Sequence, residues 1–260
     1  MSFECKICES STEGMGEQLV LGKHLAEYRR CRRCGYVSVV DPHWLEEAYS
    51  IAITALDTGI VERNLWLADA TCALLRWSFP EVRTAIDYGG GTGLLARLMR
   101  DRGHDFHWHD AYSPNLLARG FDAGQDEAFD LLTAFELIEH LPDPWPVLEQ
   151  FRKRAPRWLL STELLPEAPR LEQWWYFAPE TGQHIGFFSR AALEVVAERV
   201  RMRLSSNDRN LHVLSERAVD ERFLRMLRKP ARARWIGWTG RGRSLAHADA
   251  ADLRKRLQQR

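Results

Sequence analysis

The period of apolar and polar positions changes several times along the chain, and each change marks an element. TAIDY (84–88), FHWH (106–109), FDLLTAF (129–135) and RWLLSTE (157–163) are short, largely apolar runs. Runs of this length predict strands of a sheet covered on both faces. Residues 93–102, 144–154 and 189–200 carry apolar residues three and four apart and predict helices. Two further strands, RMRLSS and NLHVLSE, are separated by a tight turn at Asn207–Asp208, so they are expected to be antiparallel neighbours. Strand–helix alternation predicts an α/β fold with a doubly wound, mostly parallel sheet.

The flanks read differently. DPHWLEEAYSIAI opens a helix-rich stretch with Asp41 or Pro42 near its first turn, and VERNLWLADATCALLRWSF has helical spacing up to Pro80. The expected division is 1–40, a helical linker or lid at 41–83, the α/β domain at 84–215, and a basic helical tail at 216–260. The 260 residues, 45% hydrophobic, suffice for one full-sized core with a small appendage. No 18-residue apolar run occurs, so no membrane span is expected. MSFECKICES lacks the basic-then-apolar order of a secretory signal, which makes a cytoplasmic enzyme the expectation.

Net charge is zero but unevenly spread: from residue 201 onward there are 16 Lys/Arg against 6 Asp/Glu. The basic end reads as a contact for phosphate or an anionic carrier, or as a solvated surface paired with the acidic body. The second reading is preferred, because no RNA-module signature accompanies the charge.

Cys5, Cys8, Cys31 and Cys34 form two CxxC pairs, CKIC and CRRCG, with 22 residues between them. Two such knuckles close a four-thiolate metal site, and a closed site is structural. Two disulfides, disfavoured in a reducing compartment, or a redox CxxC are the alternatives to this small zinc ribbon. Cys72 lies in a helical apolar pattern and reads as a buried thiol.

The chemistry centres on AIDYGGGTG. A dinucleotide fingerprint needs GxGxxG, but Leu94 stands at the third glycine position, and no GK[ST] of a phosphate-binding loop follows. The spacing is instead Asp87, Gly89, Gly91, Gly93. A carboxylate ahead of the turn would repel a pyrophosphate and suits a ligand bearing an amino group. Asp110, 23 residues on, ends the next strand, where an acid can bind ribose hydroxyls. S-adenosylmethionine meets these demands.

DYGGGTG, the acid of HWHDAYSP and FDLLTAFELIEHLPDP together resemble the class I S-adenosylmethionine-dependent methyltransferases over residues 84–215. The whole chain is also similar to a bacterial subgroup with an N-terminal CxxC…CxxC ribbon and WLEEAYS and HIGFFSRAAL segments, associated with sugar or polysaccharide modification. The resemblance implies a Rossmann-like, seven-stranded sheet. It also implies cofactor contacts at Asp87, Gly89, Gly90, Gly91, Gly93, Asp110, Ala111, Phe135 and Glu136. Only 19 residues separate Asp110 from Asp130, so one strand is expected to shrink to LARGF, with Phe121 and Asp122 as candidates for the adenine side.

Methyl transfer needs alignment and, for a hydroxyl or amine acceptor, a base. His140, Glu163 and His184 are the candidates, His184 for its ordinary pKa range; a cap or loop hydrogen bond is its alternative role. Glu136, Glu139 and His140, at i, i+3 and i+4, either bind a divalent cation, as a resemblance to quinone-type O-methyltransferases implies, or only shape the cofactor pocket. Trp174, Trp175, Tyr176 and Phe177 are four consecutive aromatics suited to stacking a sugar ring or covering the sheet edge. Expected, then, is methylation of a small-molecule or glycan acceptor. RNA modification is the alternative, and a non-catalytic binding module a third reading that the intact glycine turn disfavours.

Overall fold

A computed structural model describes residues 3–50 and 53–259. The N-terminal part contains Thr12–Val20 (β1), His24–Cys31 (β2), Val37–Val39 (β3) and one helical turn at Leu45–Ala48 (α1). The helix Ile60–Trp77 (α2) leads into Thr84–Tyr88 (β4), Leu94–Asp101 (α3), Asp105–His109 (β5) and Leu131–Phe135 (β6). Then come Pro144–Arg154 (α4), Arg157–Ser161 (β7), Gly186–Phe187 (β8), Arg190–Arg199 (α5), Arg203–Ser206 (β9) and Leu211–Ser215 (β10). Three helices follow: Glu221–Leu227 (α6), Pro230–Trp238 (α7) and Ala246–Gln258 (α8).

The main sheet has the order β5-β4-β6-β7-β10-β9. β5, β4, β6 and β7 are parallel, and β10 runs antiparallel to both β7 and β9. The sheet has six strands among the described residues, where seven were expected. The segment after Asp110 folds back on itself: Leu116 and Leu117 N–H donate to Thr92 O, and Asn115 caps Ala118. What remains reaches Trp108 only at one bridge, Asp122, flanked by two backbone bonds of 2.8 Å. The shrunken strand is therefore a single bridge at the residue that follows LARGF. Phe121 beside it is buried under the Arg100 guanidinium, 3.6 Å from the ring centre.

The second sheet, β1-β2-β3-β8, is antiparallel, and its edge strand comes from the far side of the α/β region. Its core (Val20, Tyr28, Val37, Val39, Trp44, Phe177, Phe187) is separate from the two cores that flank the main sheet. Burying these side chains contributes on the order of 1.5–3 kcal/mol each.

The C-terminal helices pack on the body. α7 lies so close to α2 that a Cβ on Gly237 would overlap the Asp69 carbonyl. Asp69 accepts from Arg102 (3.0 Å) and Arg241 (2.8 Å). Asp249 of α8 takes both nitrogens of Arg100 (2.9 and 2.7 Å), and Arg100 also bonds Asp105 and the Phe106 carbonyl of β5. Arg217 and Arg225 pair with Glu81 and Asp208, so part of the basic charge meets acids, as the preferred reading held. No helix among the described residues is long and apolar enough to cross a membrane.

Arg100 and Asp249 are both buried. Removing one partner of such a pair strands the other charge at a cost of about 3–5 kcal/mol. Asp249→Ala is therefore expected to lower unfolding free energy by about 3 kcal/mol, read from urea midpoints. A loss no larger than that of an exposed substitution would show that α8 contributes little to the fold.

Candidate functional site

β4, β6 and β7 end side by side at Tyr88, Phe135 and Ser161. This carboxyl edge of an open sheet is where α/β proteins bind ligands. Three structures meet there: the glycine turn after β4, the sharp bend after β6, and the 162–185 connection after β7.

Gly89, Gly91 and Gly93 have φ of +72°, +53° and +86°, a region open to glycine and strained for other residues. The turn is tied to β5, because the Gly89 and Gly90 N–H groups both donate to His109 O. Asp110 secures it further: Oδ2 accepts from Gly91 N–H (2.9 Å), and Oδ1 accepts from the N–H groups of Tyr112 and Ser113 (2.8 and 2.7 Å). Beneath the turn, Asp87 is 3% exposed, and the Thr133 hydroxyl donates to its Oδ1 at 2.9 Å. A Cβ on Gly90 would come within 2.7 Å of Asp87 Oδ2, whereas one on Gly91 would meet nothing within 4 Å. The turn is thus closed below by a carboxylate and open above. Burial raises the Asp87 carboxyl to about 7; the Thr133 hydrogen bond opposes this and the Asp110 charge adds to it. Ala111 is exposed, and Phe135 is half-buried against the sheet core.

After β6 the chain bends at Glu136, whose φ is +49°, a conformation that costs a non-glycine residue on the order of 1–3 kcal/mol. Ile138–His140 then form a single 3₁₀ turn. Glu136 therefore precedes the helical turn and does not share a helical face with Glu139 and His140. Its bend is held by Ser161, whose carbonyl and hydroxyl both receive the Glu136 N–H at 3.0 Å. The Ser161 hydroxyl donates to Glu136 Oε1 (2.7 Å), and the Tyr176 hydroxyl lies 3.1 Å from Oε2.

The same Tyr176 hydroxyl donates to Oε1 of the fully buried Glu139. One phenolic proton cannot serve two carboxylates at once. Burial, then the Glu136 charge, push the Glu139 carboxyl up to about 8. Among the described residues its Oε2 meets no hydrogen-bond partner. Burial raises the Glu136 carboxyl as well, opposed by the Ser161 hydrogen bond and by Arg63 of α2, itself held by Asp57 at 2.9 and 2.6 Å.

His140 and His184 face each other edge to face, ring centres 4.8 Å apart. Nδ1 of His140 lies 3.0 Å from Gln183 O, and Nδ1 of His184 lies 2.7 Å from Tyr176 O. A carbonyl only accepts, so each Nδ1 carries the proton and each Nε2 a lone pair. Burial holds His140 at about 4 and His184 at about 3, so both rings are neutral at pH 7. The ordinary pKa that favours His184 as a base is thus absent in the folded chain. Glu139, His140 and His184 bring one donor atom each within 4.8 Å of one another.

The remaining predicted residues separate. Glu163 is engaged with Asn210 (3.0 Å) and Arg209 (3.4 Å). Tyr176 and Phe177 are buried, Trp174 packs against both and against Phe187, and Trp175 is 67% exposed. Of the four aromatics, Tyr176 is the one that touches the carboxylates. Sequence reasoning missed Arg63, and Tyr49, whose ring lies 6.1 Å from His140 and 6.2 Å from Tyr112. Neither carries a local motif; the fold alone brings them there.

The four N-terminal cysteines converge. Sγ separations are 3.6 Å for Cys5–Cys34 and 3.4 Å for Cys8–Cys31, and all four sulfurs lie within 4.8 Å. These are too long for disulfides. The N–H groups of Ile7, Arg33 and Cys34 point at the sulfurs of Cys5 and Cys31, each at 3.4 Å. Cys72 is free and buried in α2.

Comparison with known proteins agrees with this architecture. No curated protein sequence matches the chain. Among solved structures, TnmH aligns with a TM-score of 0.50 at 19% identity, over 68% of this chain and 62% of that one. Human N-acetylserotonin methyltransferase in complex with SAM aligns at 0.44 and 14% (67% and 66%). The mitomycin 7-O-methyltransferase MmcR aligns at 0.44 and 16% (58% and 54%). The chain spans less than two thirds of the length of each, and at 19% identity the likeness to TnmH is one of fold. The family profile described as "Methyltransferase domain" matches residues 63–200, over half of the chain. With the glycine turn, the strand-end acid and the parallel sheet in place, the chain belongs to the methyltransferase-domain family of class I S-adenosylmethionine-dependent methyltransferases.

Proposed function

We propose that the chain binds S-adenosylmethionine at the glycine turn and methylates a hydroxyl or amine of a small-molecule or sugar acceptor held under the 162–185 connection. The observation that carries this reading is Asp87: a buried carboxyl with one hydroxyl partner, beneath a turn whose upper side is open. The residues suited to the cofactor are Asp87, Gly89, Gly90, Gly91, Gly93, Asp110, Ala111, Phe135 and Glu136. When bound, the cofactor supplies an activated methyl and its own leaving group. The chain's own contributions are binding, alignment and handling of the acceptor proton. Asp87 favours an ammonium above it, and Asp110 sits where a ribose diol is bound in such folds. Glu139, His140 and His184 form the cluster at which the acceptor is presented, and Tyr176 orients Glu139. Glu163, tied to Arg209 and Asn210, is left with a structural role.

The basic tail gives less support to an RNA substrate, since Arg217, Arg225, Arg241 and Arg256 are paired within the chain. For the ribbon we propose zinc. With Zn–S near ~2.3 Å, tetrahedral thiolates stand ~3.8 Å apart, close to the separations found. Cys5, Cys8, Cys31 and Cys34 would hold it, and four thiolates leave no open position, so the ion is structural.

Four outcomes are expected. Calorimetry with S-adenosylmethionine should give one site per chain, and absence of binding refutes the reading. Because the ammonium favours ionised Asp87, binding between pH 5 and 7 should release up to about one proton, seen as buffer-dependent heat and lost in Asp87→Asn. Without cofactor, the raised Asp87 pKa fixes the sign of a stability trend. Below its ordinary 3.8 both states hold the proton; as pH climbs to about 7 only the unfolded state gives it up, so stability falls across that window. His140 and His184, held below their ordinary pKa, act in the opposite sense in both proteins, so urea midpoints should show the wild type losing stability relative to Asp87→Asn across this window. Elemental analysis should return one zinc per chain at the ribbon, and Cys31→Ser should lose it with several kcal/mol of stability; a folded wild-type chain with no metal at the thiols contradicts the ribbon.

A further inference from the structure

We infer that Glu139, His140 and His184 form a second metal site, which takes a divalent transition-metal ion and leaves a coordination position open toward the acceptor. The use of the ion rests on the methyltransferase reading; the site itself rests on geometry. The donors come from two separate segments: Glu139 and His140 from the 3₁₀ turn after β6, and His184 from the connection before β8. Their donor atoms lie within 4.8 Å of one another. Backbone carbonyls of Gln183 and Tyr176 fix both imidazoles as the Nδ1–H tautomer. This is the outer-shell arrangement that turns an Nε2 lone pair toward a metal.

Glu139 supplies the second observation. It is 0% exposed, its Oε1 is held by the Tyr176 hydroxyl, and its Oε2 has no partner among the described residues. A buried carboxyl oxygen without a protein partner, beside two imidazole lone pairs, is a concentration of acceptors served only by the proton that burial keeps on Glu139, an arrangement that burial penalises. A cation satisfies all three at once. Arg63 does not fill this role, because its guanidinium is bound to Asp57. The low pKa values of both rings favour the same state, since they keep the imidazoles unprotonated and ready to bind.

Two imidazoles and one carboxylate suit zinc, iron(II) or cobalt(II) over magnesium or calcium, which prefer oxygen ligands alone. Three protein ligands are the number found where a fourth position stays open for water or substrate. Here both histidines are only part-buried, and Tyr49 and Tyr112 stack at the edge of the same cluster. The open position therefore faces the mouth of the site, where an oxygen donor of the acceptor would fit. The ligand set differs from the Glu136–Glu139–His140 face suggested by spacing. Glu136 is occupied by Ser161 and Tyr176, and His184 takes its place.

Cobalt(II) titration of the full chain, with zinc already held at the cysteines, tests the site. The expected result is one further equivalent of Co2+ with visible ligand-field bands and no thiolate charge-transfer band. Glu139→Gln, which keeps the Tyr176 hydrogen bond, and His184→Asn should each weaken Co2+ binding at least ~10-fold while zinc content stays at one. A flat titration of the wild type, or unchanged affinity in both variants, overturns the proposal. S-adenosylmethionine calorimetry run in parallel separates the two readings. Cofactor binding without Co2+ uptake removes the second site alone, and Co2+ uptake without cofactor binding removes the methyltransferase reading alone.

Discussion

Two residues pair the halves of this molecule. Gly186 and Phe187 of β8 bond to Ser38 and Val37 of β3, so a strand made after the parallel strands closes the sheet made before them. The joint is reinforced on each side. The Ile185 N–H donates to Glu139 O and its carbonyl accepts from Val39 N–H, while the Ser189 hydroxyl donates to Cys34 O. Trp44 donates to Gly182 O, and Gln183 to Ala48 O. These bonds bracket His184 on both sides. The position of that ring is set by a sheet edge and by the knuckle carrying Cys34 as well as by the Tyr176 carbonyl of its own connection.

Charge is distributed in accordance with that constraint. At the carboxyl edge of the main sheet the protein buries two acids, Asp87 and Glu139, against few donors, and keeps two imidazoles uncharged. At Arg100–Asp249 and Arg102–Asp69, by contrast, buried charge is matched. The contrast between these paired ions and the sparsely partnered Asp87 and Glu139 is what ligand-binding positions commonly show.

The sequence foretold what depends on local period. The parallel strands, their helices and the β9–β10 turn follow from spacing alone, because side-chain periodicity and turn residues act within a few positions. The glycine turn was legible for the same reason: Gly89, Gly91 and Gly93 must visit positive φ whatever the rest of the chain does. The seventh strand was over-counted because hydrogen bonds around Asp110, Asn115 and Thr92 took up the chain it needed. Glu136 was misassigned to a helical face because periodicity cannot reveal a single residue at positive φ. The meeting of His184 with Glu139 and His140 depends on a path of more than forty residues, and that Trp174 and Phe177 enter a core followed only from where β8 docks.

The clamp of Asp249 on Arg100 also bears on how the chain is made. The two residues are 149 positions apart. At about 5–20 residues per second, synthesis takes roughly 8–30 s to pass from one to the other. Throughout that interval α3, the helix that follows the glycine turn, exists without the carboxylate that will neutralise its last turn. The cofactor side of the domain is thus begun early on the ribosome and completed late, and until α8 emerges Arg100 has only Asp105 as its acidic partner.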